Sequence, residues 1–296
     1  MQSITSKLLI FLSLMRMQQW IKNLFVFIPM FFNKQFASQE SVFLATIAFF
    51  SFSFIASSIY CFNDIIDVEF DKKHNEKKNR PIASGLISIK AARFCMLGSA
   101  LIGFALAYFC CGFSLFFVLL TYFSINIFYT LKLKQIIVLD VAIIALSFVM
   151  RLIAGGIATQ TQLSYWILIM VFLLALYLAF AKRRDEVLIY IENKIIVRKN
   201  IDKYSIKFLD AILLILSLTL ISLYLAYSFS PEIKIQFNSH YVWLTSIFVI
   251  FGLFRYHKLI KLRRNYVNPT KILLKDRPMQ FILLGWLISF YIIIYV

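Results

Sequence analysis

The stretch NDIIDVEFDKKHNEKKNRPIASG, residues 63–85, places four carboxylates within eight residues and follows them with a run of lysines. The whole chain of 296 residues holds only 14 Asp and Glu, so the cluster is dense for its setting. On a helix turning about 100° per residue, with Asn63 at zero, Asp67 falls near ~40°, Asp71 near ~80° and Asp64 near ~100°. Glu69 falls near ~240°, on the other side. Three carboxylates and an amide on one face repel one another unless a cation joins them. Hard oxygen donors of this kind suit Mg²⁺, which usually binds through one or two carboxylates plus substrate phosphates. Lys72, Lys73, Lys77, Lys78 and Arg80 come next, before Pro81 and Gly85 turn the chain. A multivalent anion held by both a metal and a basic arm fits that pairing. Asp64, Asp67 and Asp71 are therefore the expected metal ligands, with Asn63, Lys73, Lys77 and Arg80 around a diphosphate.

Such a cluster has to be positioned by an apolar scaffold, because the chain is 61% hydrophobic and 15% charged. A membrane-crossing helix needs about 20 apolar residues, and runs of that kind recur along the whole length. Nine helices are expected, at about 21–36, 41–62, 93–110, 113–131, 137–158, 164–181, 208–229, 241–256 and 279–296. Solid apolar runs exclude a barrel, which needs alternation. With only 8 Gly and 5 Pro there is little room for long linkers, so residues 1–296 are expected to form a single polytopic membrane domain. Its fold class is an all-α bundle of nine transmembrane helices. The apolar stretch 8–14 is short and runs into Arg16 and Lys22 without a small-residue cleavage site, so no cleaved signal is expected.

The net charge of +17 is distributed unevenly. Numbering loops by the helices they join, loops 2–3, 4–5, 6–7 and 8–9 and the N-terminus carry nearly all the Lys and Arg. The opposite loops carry only Lys34 and Lys234. The positive-inside rule then places the N-terminus and the basic loops in the cytoplasm, in a multi-pass protein of the inner (plasma) membrane. Topology accounts for the positive excess, so no nucleic-acid partner is expected. Cys61, Cys95, Cys110 and Cys111 lack CxxC spacing and read as small hydrophobes. His74, His240 and His257 are too scattered for a histidine metal site.

Three further groups are candidates for chemistry. YTLKLKQIIVLDVAII, residues 129–144, brings Tyr129, Lys134 and Asp140 to the start of the fifth helix. Arg151 lies inside that helix, eleven residues or about 16 Å beyond Asp140. An intramembrane arginine is costly and either serves a site or is paired structurally. Lys182, Arg183 and Arg184 end the expected sixth helix, where they either bind a phosphate group or cap the helix C-terminus.

NDIIDVEFD resembles the N-D-x-x-D-x-x-x-D motif of the UbiA superfamily of intramembrane prenyltransferases, which have nine transmembrane helices and carry this motif in the loop 2–3 region. Classical members add D-x-x-x-D between helices 4 and 5. Here Asp140 fills the first position, but Ile144 stands in the second. Tyr129, Lys134, Asp140, Arg151 and Gly155-Gly156 form the pattern Y-T-x-x-L-K-x5-D-x10-R-x3-G-G. With RMQQWIKN (16–23), RPIASG (80–85), AKRRDE (181–186) and LLKDRP (273–278), it resembles the decaprenyl-phosphate phosphoribosyltransferase branch. Met17 replaces a usual Pro of the first of these, and Asn75 follows His74 where H-P is common.

The resemblance implies Mg²⁺-dependent transfer of a 5-phosphoribosyl group from phosphoribosyl pyrophosphate to a polyprenyl phosphate, with pyrophosphate released into a cytoplasm-facing cavity. It adds Asp140 to the catalytic carboxylates Asp64, Asp67 and Asp71, and sets Tyr129 and Lys134 against the donor's phosphates. Lys22, Arg151 or the Lys182-Arg183-Arg184 trio would position the lipid phosphate. The nearest alternative is a prenyltransferase moving a polyprenyl chain from its diphosphate to an aromatic or other acceptor, against which Ile144 and the branch-like motifs count. A transporter with a regulatory Mg²⁺ site would hold its polar groups near the midplane rather than on one side.

Overall fold

Apolar runs of this length satisfy their backbone groups inside a bilayer only by coiling. In a computed structural model that describes residues 4–73, 77–194, 201–262, 272 and 275–296, every regular element is helical. His74-Asn75 and residues 273–274 of LLKDRP lie outside the described residues. The longer elements are α1 (Ile4–Leu14), α2 (Ile28–Phe32), α3 (Gln39–Ile66), α4 (Val68–Lys72), α5 (Ile89–Cys111), α6 (Phe113–Leu131) and α7 (Leu139–Ala158). They are followed by α8 (Tyr165–Asn193), α9 (Ile206–Phe229), α10 (Pro231–Phe237), α11 (Ser246–Lys261) and α12 (Arg277–Tyr295). Among the described residues eight helical runs are long and apolar enough to cross a bilayer: α3, α5, α6, α7, α8, α9, α12 and Val242–Lys261, which contains α11. The chain divides into two compact units, Met1–Leu163 and Ser164–Val296.

The helix expected over 21–36 is not a continuous α-helix. A 3-10 helix, Met17–Phe27, leads into α2 and then into a short 3-10 turn, Gln35–Ala37. Pro29, in the first turn of α2, has no N–H to donate to a preceding turn. The polar side chains of the segment also bond sideways to α3. Trp20 Nε1 donates to Ser57 Oγ at 3.0 Å, and Asn23 Nδ2 to Ser53 Oγ at 2.8 Å. These lateral bonds hold an eleven-residue 3-10 run, well beyond the usual limit of about four.

In the first unit α3 is the spine. Its buried face is rich in small residues, including Ser51, Ser53, Ala56, Ser57 and Ser58, which let neighbouring backbones come close. On α5, a Cβ at Gly103 would lie 2.9 Å from the Ser51 carbonyl oxygen. On α7, a Cβ at Gly155 would lie 1.9 Å from the Val26 carbonyl oxygen. That contact is the physical content of the G-G at 155–156: α7 lies directly against the 3-10 segment. Val26, Phe52, Ile55, Tyr122 and Met150 fill the core around these crossings.

In the second unit α8 extends twelve residues past the expected end at 181, to Asn193. The Lys182-Arg183-Arg184 trio is thus inside the helix, and the C-terminal capping role read from the sequence does not apply. Asp276 caps α12 by accepting from Met279 N at 2.9 Å, and Arg255 clamps the same carboxylate at 3.2 and 2.8 Å. With Pro278 in the first turn, the D-R-P of residues 276–278 is a helix start.

Gly155→Ala should force α7 off the 3-10 segment and destabilise the protein by about 1–3 kcal/mol, as overpacking does. Gly98→Ala, where nothing lies within 4 Å, is the control. Thermal unfolding in detergent should show a drop of several degrees for the first substitution and none for the second.

Candidate active site

The acidic cluster forms where α3 ends. Asp67 N still donates to Asn63 O at 2.9 Å and Asp71 N to Asp67 O at 2.8 Å, so the helical register survives. Asp67 itself, with φ −93° and ψ 8°, leaves the helix and separates α3 from α4. Asp64 and Asp71, about 20° apart on the helical wheel, remain together and are almost wholly buried. Both accept from one atom: Arg80 Nη1 lies 3.0 Å from Asp64 Oδ1 and 2.6 Å from Asp71 Oδ2. Arg16 donates a further hydrogen bond to Asp64 Oδ1. Asp67 points elsewhere, to Lys134 Nζ at 2.7 and 2.8 Å. The face expected to hold three carboxylates around one centre is therefore split, two on Arg80 and one on Lys134. Glu69 is exposed on the other side, as its wheel position requires. Its hydrogen bond from Lys72 at 2.7 Å holds its carboxyl below the ordinary glutamate range.

The loops are shaped to deliver these cations. RPIASG folds back on itself: Ser84 N and Oγ donate to the Arg80 carbonyl at 2.9 and 2.8 Å. Ile87 N donates to Pro81 O at 3.0 Å, and Gly85 takes φ +78°, which suits a residue without a Cβ. Ahead of α7, Val138 takes φ 67°, a conformation that costs a β-branched residue about 1–3 kcal/mol. This strained turn starts the helix that carries Asp140, fully buried in the first turn. A carboxylate there is favoured by the helix dipole.

Other expected site residues are placed as follows. Asn63 is half-buried beside the cluster, and Lys73 is exposed at the end of α4. Lys77 lies over the Phe70 ring, 5.4 Å from its centroid. Tyr129 is half-buried near the end of α6. Arg151 is 3% exposed. Its Nε donates to Asn23 Oδ1 at 2.8 Å and its Nη1 to Ser147 O at 2.6 Å. Its guanidinium faces the rings of Phe52, Tyr122 and Phe148. In the second unit Arg183 is buried and pairs with Glu186 at 2.6 Å, Lys182 lies 4.0 Å from Glu186, and Arg184 donates to Asp210. Sequence reasoning passed over Arg16 and Asn23, although both lie in RMQQWIKN. Arg16 opens that motif and sits in the left-handed turn between α1 and the 3-10 helix.

Asp64, Asp67 and Asp71 with Asn63 are hard oxygen donors. Two of the carboxylates already converge on a single cationic nitrogen. Among the described residues no three Asp, Glu, His or Cys side chains close into a cage. Two carboxylates with the remaining positions left to phosphates and water is a usual Mg²⁺ arrangement, so the residues present fit that ion.

Helices of membrane-crossing length that gather carboxylates and cations at the end of one of them define a multi-pass membrane protein with a polar site at its rim. The chain belongs to the UbiA prenyltransferase family, whose model matches residues 24–275, and is a transferase of that superfamily. It is 28% identical over 288 residues to a decaprenyl-phosphate phosphoribosyltransferase of Mycolicibacterium smegmatis, covering 92% of this chain and 88% of the relative. The protein of that name in Corynebacterium glutamicum is 25% identical over 285 residues, covering 95% and 86%. The fold matches that of a UbiA homolog from Archaeoglobus fulgidus bound to DMAPP and Mg²⁺, with a TM-score of 0.72 and 20% identity over 97% of this chain and 99% of that one.

Arg80→Gln should leave Asp64 and Asp71 as adjacent buried carboxylates and lower stability, and adding Asp71→Asn should recover part of the loss. A double-mutant cycle on unfolding in detergent without divalent metal should give a coupling of about 1–3 kcal/mol.

Proposed function

We propose that the protein transfers a 5-phosphoribosyl group from phosphoribosyl pyrophosphate to a polyprenyl phosphate, with the donor held at Asp64, Asp67, Asp71 and Asp140. The observation that carries this reading is the convergence of Asp64 and Asp71 on one cationic atom, beside a basic arm. The names of relatives that align with nearly the whole chain support the choice of substrates.

Mg²⁺, held by Asp64, Asp67 and Asp71 with Asn63, would supply charge stabilisation to the departing pyrophosphate. The chain's own cations do the rest. Arg80 and Lys134, now on carboxylates, would turn to the donor's phosphates, with Lys73 at the end of α4, Lys77 ahead of Arg80 and Tyr129 near the end of α6 adding to them. The bond that forms joins a lipid-phosphate oxygen to C1 of ribose, and the bond that breaks joins C1 to the pyrophosphate oxygen. Charge grows on the leaving group as the ribose takes on oxocarbenium character, and fixed cations aimed at it lower the barrier. A phosphate is already ionised at neutral pH, so no general base is required. Asp140, buried at the start of α7, orients either the metal or the ribose hydroxyls. The positive-inside distribution supports placing this site on the cytoplasmic side of the inner membrane.

Asp67→Asn should reduce transfer by about 100-fold or more while leaving folding intact, because Asp67 is the most exposed of the three cluster carboxylates. Transfer of label from phosphoribosyl pyrophosphate into lipid, set beside the unfolding temperature, checks both halves. Full activity in a folded Asp67→Asn protein would remove the cluster from the reaction.

A further inference from the structure

Cations in an apolar interior require anions near them, and the first unit is out of balance in one place. Arg151 is buried, yet each of its polar partners is neutral: the Asn23 amide, the Ser147 carbonyl and the Tyr122 hydroxyl. No ion pair among the described residues includes it; the carboxylates at the end of α3 are taken by Arg16, Arg80 and Lys134. Asp140 lies eleven residues away on the same helix, about 16 Å along its axis. The rings of Phe52, Tyr122 and Phe148, at 4.7, 5.6 and 5.1 Å, offset part of the cost of burying the guanidinium, since a cation over a ring gains about 0.5–2 kcal/mol. They do not supply charge.

Lys22 adds to the imbalance. It is half-buried on the 3-10 helix, next in sequence to Asn23, which holds Arg151. Among the described residues Lys22 makes no hydrogen bond and no ion pair; burial, and then like-charge repulsion from Arg151 and Arg16, holds its ammonium below the ordinary lysine range. The segment is built to keep these groups together. Asn23 is fixed at both ends, donating to Ser53 and accepting from Arg151, and Gly155 lets α7 lie on Val26. Gly155 and the 3-10 run thus keep these cations together where an anionic ligand would balance them.

We propose that Lys22 and Arg151, oriented by Asn23, form a phosphate-monoester subsite that takes the head group of the lipid acceptor. This rests on the reading of a lipid phosphate as acceptor and deepens it, because it takes Lys22 and Arg151 together for that role and leaves out the cations of α8. An ammonium and a guanidinium together match a phosphate dianion in charge, and a guanidinium can offer it paired N–H donors. A neutral phenol or alcohol acceptor would leave both cations uncompensated, so the subsite selects for an ionised head group. Arg16 connects it to the donor site, since it bonds Asp64 and acts on Lys22.

The test is binding, without donor or metal. Purified protein in detergent is titrated with farnesyl phosphate, farnesol and inorganic phosphate, and phosphoribosyl pyrophosphate binding with Mg²⁺ is measured separately. Farnesyl phosphate should bind well above the other two. Lys22→Gln, which removes no hydrogen bond, should weaken it about tenfold or more, with donor binding unchanged. Arg151→Lys, which keeps the charge but loses the fork, should fall between. Wild-type binding of farnesyl phosphate by folded Lys22→Gln and Arg151→Lys proteins would overturn the subsite. Equal affinity for inorganic phosphate would overturn its assignment to a lipid, and equal affinity for farnesol would overturn its selection for charge. If the wild type binds no phosphoribosyl pyrophosphate but binds farnesyl phosphate through Lys22, the donor reading fails and the subsite stands.

Discussion

The ion pairs among Arg16, Asp64, Arg80 and Asp71 are the constraint on which the rest of the first unit depends. Two buried carboxylates side by side at a helix end are prohibitively costly unless a cation is shared between them. That requirement fixes three separate pieces of chain. The turn after α1 has to bring Arg16 in, RPIASG has to fold back with Arg80, and α3 has to keep its register through Asp67 so that Asp71 stays under Asp64. Lys134 on Asp67 ties in a fourth piece, the loop before α7. The cluster thus joins these four pieces of chain before any ligand is considered. A cation with higher charge, arriving with its own phosphates, has the same two oxygens to occupy.

The apolar part of the fold serves the same end from below. Serines along α3 and the glycines on α5 and α7 give up some apolar burial in exchange for close helix approach. Here they allow backbone approaches that place hydrogen-bonding side chains of the 3-10 segment against α3, and α7 against the 3-10 segment. Arg151 is held where those two contacts meet. Its position is thus set by the same packing that sets the helices, whereas the cations at the rim are set by loops.

Much of this was legible in the sequence, for physical reasons that can be named. The 100° periodicity put Asp64 and Asp71 closest together and Glu69 opposite, and the hydrogen bonds follow that order. The apolar runs gave α5, α6, α7 and α9 nearly as built. What periodicity could not show was partnership across long sequence separation: Arg16 with Asp64, Lys134 with Asp67, Asn23 with Arg151. Apolar length also misread residues 21–36. Hydropathy is blind to Pro29, which sits where the 3-10 run gives way to α2, and to the polar side chains that bond sideways and hold that run. At Lys182-Arg183-Arg184 the drop in hydropathy looked like a helix end. Backbone hydrogen bonding does not stop where apolar residues do, and α8 continues, with Arg183 neutralised by Glu186 one turn on.

The central claim is the chemistry of the donor, and the most direct measurement offers the purified protein two donors in parallel. One reaction contains radiolabelled phosphoribosyl pyrophosphate with a polyprenyl phosphate and Mg²⁺, the other a labelled polyprenyl diphosphate with an aromatic acceptor, each with an EDTA control. Label from phosphoribosyl pyrophosphate should pass into the organic phase only when metal is free. Transfer from the prenyl diphosphate alone, by the same folded protein, would contradict it.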